Sequence, residues 1–498
     1  MLADATGSVE ASATAVSAFG EPISVPVTPV LQLDGLYGLD PLQFETYTGA
    51  FLNGDPVGTA TTTGTLMQVG SGTSLGGYGV IRSKRAVRYR PGQGAQARFT
   101  AMFTGPVALY TQRAGFFIQE QALQIGYNGE NFGVMRANGG KAHIHKITVT
   151  GAAGGTENVD VTLDGTTETI VMTGTNVSAN ASSLAAGIEA AFPSWVVDQY
   201  DADIYLLSSS LGPKLGAFTV VRNGAGTSTF ADVVSQTGVA QTENWTYQSD
   251  FIHDKLDGTG PSGMIIDPTK LNVYQINFRW LGVGTIQYAV ESDDGKMIVF
   301  HHEHYANENT DVHIDNPSFK IGYVAYSLGG TGTNVTVSGA SMMGAIEGLI
   351  ETTKPTNSSF FTTSSTLTQS DWHHLLTAHN KLIHRDKINT RELLVKNVTA
   401  SFNSTAGVQV ALVIDAPITG RTFNSISEWS SVAESKTESV VTLPERVAYI
   451  FGVDGGGTAS INLEELRFAI PPNSDVSILV RSSNQIQRSD VSMSWVED

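Results

Sequence analysis

The chain has no cysteine in its 498 residues. Disulfide frameworks and thiolate zinc sites are therefore excluded. Stability must come from buried area and subunit contacts, which suits assembly in a reducing cytoplasm. Charge is also scarce: Asp, Glu, Lys and Arg make up 15% of the chain, whereas helical enzymes carry more of them on their helix faces. No run approaches the roughly 18 apolar residues of a membrane-crossing helix. The start, Met1-Leu2-Ala3-Asp4, lacks the basic and apolar segments of a secretory signal. Acidic residues outnumber basic ones 47 to 29, for a net charge of −18. Such a surface repels phosphate backbones, so no nucleic-acid partner is expected. The basic run at Arg82, Lys84, Arg85, Arg88 and Arg90 reads as strand-end charge or a local salt bridge.

What the chain does have is glycine, 52 residues of it, among recurring Thr, Ser, Val and Asn. Gly and Asn tolerate the positive φ of tight turns, and Val and Thr favour strands. With 41% hydrophobic residues the chain is globular, and its length calls for two to four domains. The expected class is all-β.

Residues 1–45 are small, polar and punctuated by Pro22, Pro26, Pro29 and Pro41, the pattern of an extended arm with room for one short strand. Short alternating strands follow, among them 97–104, 114–118 and 123–127, with turn signals at Arg90-Pro91-Gly92 and Tyr127-Asn128-Gly129. Residues 141–245 look self-contained: strands at 144–150, 158–163 and 168–173, then an amphipathic helix over 179–192. Leu184, Ile188 and Ala191 mark its apolar face, Ser178 its N-cap and Pro193 its stop. The earlier style resumes at 271–280, where Val273, Tyr274, Ile276, Phe278 and Trp280 alternate. The organisation expected is an arm (1–45), a discontinuous β-sandwich (46–140 and 246–348) and an inserted β-domain (141–245). A Ser/Thr-rich linker (349–368) and a C-terminal β-domain (369–498), read as a second sandwich, complete it. No repeat or heptad pattern is present.

Three patterns carry a resemblance. They are Val87-Arg88-Tyr89-Arg90-Pro91-Gly92-Gln93 with the strand after it, Phe132-Gly133-Val134-Met135 before the insert, and 272–282 followed by His301-His302. Together they resemble large β-rich virion structural proteins of tailed bacteriophages of the marine type, and some giant-virus particle proteins. The insert, with Val161-Thr162-Leu163-Asp164-Gly165 and Gly212-Pro213-Lys214, resembles small β-modules of phage surface and tail proteins. The resemblance spans roughly 80–350. It implies a jelly-roll or concanavalin-like sandwich in the virion, in a tail, fibre, baseplate or capsid-surface position. Such a protein assembles with copies of itself and with other virion proteins. A trimer follows by analogy with fibres, and closed homo-oligomers are the common outcome.

No nucleophile elbow, phosphate loop or paired-His metalloprotease helix is present, and Gly70 to Gly77 lacks a phosphate loop's lysine. The chain is expected to be non-enzymatic, with no catalytic residue and no resident cofactor. His302 and His304 alternate on a strand and face the same way, as a divalent-metal pair must, though sheet-edge histidines show the same spacing. His143 and His145 repeat it. Asn307, Asn309 and Asp311 offer oxygens for Ca²⁺, while Asp293-Asp294-Gly295 reads as a hairpin turn. Trp245, Tyr247 and Trp372 are candidate rings for a host-surface glycan, which would make the chain a lectin-like recognition module; Trp280 reads as core. A polysaccharide depolymerase, which needs two carboxyls in a cleft, is the remaining alternative, but the short repeats of a β-helix are missing.

Overall fold

The computed structural model describes residues 2–3, 9–10, 27–50, 57–90, 92–279, 281–348, 354–363, 365–464 and 468–498. They are almost entirely antiparallel sheet, with one α-helix among them. Two compact units form. The first comprises Met1–Phe117, Ala122–Arg136 and Asn244–Glu351, and the second Ile118–Gln121, Ala137–Glu243 and Thr352–Asp498.

The first unit is a two-sheet sandwich. Ala95–Phe103 shows why: residues 95, 97, 99, 101 and 103 are buried while those between point outward, the period-two pattern of a strand with one face on a core. It pairs with Asn272–Phe278, placing Tyr274 opposite Phe99 and Phe278 opposite Ala95. This ladder closes the sandwich across the insertion. The facing sheet contains Tyr110–Phe117, Ala122–Asn128 and Lys320–Ser327. Phe116 from that sheet meets Phe278 edge to face at 5.8 Å and Phe319 at 5.6 Å, geometries that add to the area buried. Val27–Asp34, expected within the arm, is a strand on Ser341–Glu347. Leu31 and Leu33 are buried there, because alternate apolar residues reach the core although Pro29 interrupts the polar sequence. The rest of the expected arm lies largely outside the described residues, as does Trp280.

In the second unit the inserted segment forms a four-stranded and a three-stranded sheet about one core of Val159, Val161, Leu184, Ile188, Ile204 and Leu206. The helix is Val177–Ala191, capped by Asn176, whose Oδ1 accepts from the Ala179 amide at 2.9 Å. The N-cap is thus Asn176 and not Ser178, and Ala191 is exposed; Ala181, Leu184, Ala185 and Ile188 form the buried stripe. Gly187 lets the helix come close, since a Cβ there would meet Ile170 Cγ2 at 2.2 Å.

The C-terminal segment is a second two-sheet sandwich around Leu376, Val395, Val410, Ile478, Met493 and Trp495. Thr356–Thr362, expected as linker, is a strand paired with Ile486–Glu497; Ser and Thr are compatible with a strand, and Phe361 packs on the core. Insert and C-terminal segment share a cluster of Ala142, Ile144, Tyr200, Tyr205 and Leu207 with Ile383 and Ala433, so they form one body.

The first unit also holds an ion triad on adjacent strands. Arg82 Nε donates to Glu45 at 2.7 Å and Lys320 Nζ donates to its other oxygen at 2.6 Å. Burial alone would raise the Glu45 carboxyl, but Arg82 and Lys320 outweigh it and hold it down to about 2. Replacing Glu45 by Gln leaves two cations facing each other with only about a fifth of each side chain in water. Glu45→Gln should cost about 3 kcal/mol, read as a lowered unfolding midpoint of the first unit at neutral pH. A midpoint unchanged from wild type contradicts this assignment.

Candidate functional site

Trp245 and Tyr247 lie two apart on Thr242–Tyr247, an edge strand of the first unit's sheet that also contains Tyr110–Phe117, Ala122–Asn128 and Lys320–Ser327. A strand aims such residues to one face. Their ring planes lie within 12° of each other with centroids 6.2 Å apart, and the Tyr247 hydroxyl accepts from Asn128 Nδ2 at 3.1 Å. Both rings remain half-exposed, giving an oriented pair of aromatic faces. Trp372, the third ring candidate, is not available. It is buried among Ala411, Val413, Ala416 and Leu479, because both faces of its strand are covered. Trp429, at 64% exposed, is a tryptophan that sequence reasoning missed. It lies in a Ser/Glu-rich turn with no alternation to flag it.

The histidine-rich strand is Met297–Glu303. His301 points inward beside Tyr288 and Phe251, and burial pushes it down to about 4. His302 points outward, where its Nδ1 hydrogen-bonds Nε2 of His253, a partner no local spacing announces. The His304 ring lies 6.4 Å from that of His302. Asn307, Asn309 and Asp311 are exposed, and Asn309 Nδ2 donates to the Tyr305 carbonyl at 3.3 Å. Among the described residues no three His, Asp or Glu are grouped to hold a metal. His302 and His304 thus gain one imidazole neighbour, His253. Asp293-Asp294-Gly295 is the expected hairpin turn, with Gly295 at φ 78°.

A pocket of about 330 Å³ in the first unit is lined by Leu39, Pro41, Phe44, Ala60 and three threonines, Thr46, Thr61 and Thr62. It contains no group able to exchange a proton near neutral pH.

No family model matches the chain, and no curated protein does. Among solved structures, a chain from the atomic structure of Sulfolobus turreted icosahedral virus is similar at 10% identity. It covers 91% of this chain and 89% of that chain, at a TM-score of 0.15. So low a score carries no argument about fold or function.

Buried titratable groups make the second unit sensitive to pH. His143 and His145 stack on Phe218 at 4.9 and 4.8 Å, and both His143 nitrogens are buried without a hydrogen bond. Burial pushes His145 down to about 4 despite Asp232. Between insert and C-terminal sandwich, His379 Nε2 meets Asp198 Oδ1 at 3.0 Å, and Asp198 Oδ2 accepts from the Leu382 amide at 2.7 Å. Burial opposes both charges, yet each raises the other's charged fraction: His379 moves up and Asp198 down. Arg421 pairs with Asp475 at 2.9 Å in the same layer.

These groups act in opposite directions. The depressed His145 costs stability as pH falls below 6.5, reaching about 3 kcal/mol near pH 4. His145→Phe should therefore flatten the acid limb of stability against pH. The raised His379 contributes fully below 6.5 and loses its contribution as pH rises through its folded value. His379→Gln should flatten the alkaline limb, and because it also removes the cation that holds Asp198 down, it should change the acid limb too. Melting curves from pH 4 to pH 9 check both signs, and variants that merely shift the whole curve would contradict them.

Proposed function

We propose that this chain is a non-enzymatic structural protein of a virus particle that acts through subunit assembly. The supporting observation is the state of its sheet edges. Thr229–Gln236 ends the four-stranded sheet, and Val233 and Val234 on it are both exposed. They point to opposite faces and so flank the free edge with apolar surface on both sides, on a strand otherwise held by Phe230 packing on the insert's core and by Ser235 donating to Asp386. Proteins that remain single guard such an edge with charge, proline or a covering element, and unguarded edges recruit another chain. Here Asp232 is the strand's single charged residue. The absence of cysteine, the low charge and the pocket without acid–base groups fit the same reading, as does the resemblance to phage virion proteins. Within that reading, a tail, fibre, baseplate or capsid-surface position and a homotrimer are the finer assignments. A lectin-like role at the particle surface is a second reading, favoured by the paired rings of Trp245 and Tyr247.

Light scattering after size exclusion tests the assembly reading. The purified chain should run as an oligomer at micromolar concentration. Val233→Lys with Val234→Lys should shift it toward monomer while leaving its circular dichroism unchanged. A wild-type chain that stays monomeric at high micromolar concentration overturns the reading.

A further inference from the structure

Trp429 is an exposed indole on a fastened backbone. Arg391 Nη1 donates to the Trp429 carbonyl at 3.1 Å, and Lys381 Nζ to the Ser430 carbonyl at 3.2 Å. The Lys381 amide donates to the Ser431 carbonyl at 2.9 Å. From beneath, the buried Glu497 carboxylate accepts from the Ser431 amide at 2.6 Å and from the Ser430 hydroxyl. Burial would raise Glu497, but the donors from Ser430, Ser431 and Trp495 hold it below the usual carboxylate range, so it stays a charged anchor. A loop held at this many points has little conformational entropy left to lose on binding. Its large apolar side chain nevertheless faces water, forgoing about 2 kcal/mol of burial.

The Arg385 guanidinium lies 4.2 Å from the Trp429 ring centroid. Arg385 and Asp386 form the two-residue turn joining Ile383–His384 to Lys387–Ile388, with φ of 52° and 61°. Such a turn ordinarily takes Asn-Gly, and left-handed backbone costs other residues about 1 kcal/mol each. Asp386 accepts from Ser235 Oγ at 3.2 Å, while Arg385 spends its strained position on the exposed ring. Outliers of this kind concentrate where a side chain must be presented.

The surroundings are basic in an acidic chain. Residues 381–391 include Lys381, Arg385, Lys387 and Arg391 against Asp386 alone. Arg385 and Lys387 are exposed and Arg391 half-exposed. His384 in their midst is pushed down to about 4 by burial and then by Arg391, Lys381 and Arg385, with Glu497 opposing. The exposed Glu428 is the acidic neighbour in sequence.

We propose that Trp429 and Arg385 form a binding site for an acidic saccharide, with Arg391, ion-paired to Glu497 at 3.4 Å, holding the loop that carries the ring. A sugar ring stacks on the open part of the indole, and its carboxylate or sulfate meets the Arg385 fork, which matches planar oxyanions. Single-stranded nucleic acid also combines rings with cations, but it needs successive rings along a basic groove. Here there is one ring, on a chain of net charge −18. The site does not include Trp245 or Tyr247, and its turn touches the edge strand Thr229–Gln236 through the Ser235 hydroxyl that donates to Asp386.

Calorimetric titration of the full chain with an alginate hexasaccharide tests this, beside neutral maltohexaose and an oligothymidine. The alginate should bind and the other two should not. Trp429→Ala and Arg385→Gln should each weaken binding about tenfold or more, Trp245→Ala should not, and Glu428→Gln should tighten it. Added salt should weaken it. Failure of wild type to bind the alginate, equal binding of maltohexaose, preference for the oligothymidine, or indifference to both Trp429→Ala and Arg385→Gln overturns the site. Because Arg385→Gln alters an exposed side chain and leaves the Glu497 anchors intact, its result does not depend on Trp429→Ala folding.

Discussion

Every strand in this protein depends on backbone pairing: each N–H and C=O taken from water must find a partner. Antiparallel ladders solve this in the interior of a sheet, and they solve it over long sequence distances here. Ala95–Phe103 is completed by Asn272–Phe278, and Thr356–Thr362 by Ile486–Glu497. The same solution leaves two unpaired rows at the ends of every open sheet. Side-chain packing then decides which edges matter. Thr242–Tyr247 puts aromatic rings beside one such row, and Thr229–Gln236 puts valines beside another.

Within the second unit, burial of polar groups does a different job. Insert and C-terminal sandwich share a small apolar cluster, and His379 and Asp198 pair across the same junction. A buried ion pair adds little net stability, because desolvation offsets most of its attraction. What it supplies is orientation, since a shifted insert would leave Asp198 charged and unpaired. The layer continues through Arg421 and Asp475, and through His374, which hydrogen-bonds Thr377 at 2.7 Å. One strand, Trp372–Asn380, brings most of this chemistry together, and all nine of its residues are buried.

Much of the fold was legible because period-two alternation is a local signal. The strand at Asn272–Phe278, the Ser292–Lys296 hairpin and the insert's helix all follow from neighbours in sequence. The position of Val27–Asp34 within the arm and the whole of Thr356–Thr362 were not, since proline and Ser/Thr content mimic an arm and a linker, and the partners that make them strands lie hundreds of residues away or at the far end of the chain. The sites follow the same division. Trp245 and Tyr247 could be paired by their spacing. His253 meeting His302, Asp198 meeting His379 and Arg385 meeting Trp429 are tertiary events with no local trace. Trp372 left no local trace of its burial, because covering both faces of one strand buries even polar residues.

Assembly through an open edge has a direct signature at the backbone. Hydrogen–deuterium exchange across Thr229–Gln236, followed as the protein is concentrated from dilute to high micromolar, reads it amide by amide. The account predicts that alternate amides on the free side of this strand become protected as concentration rises, in step with association. Amides that exchange equally fast at every concentration, in a chain that nonetheless associates, would contradict it and place the subunit contact elsewhere.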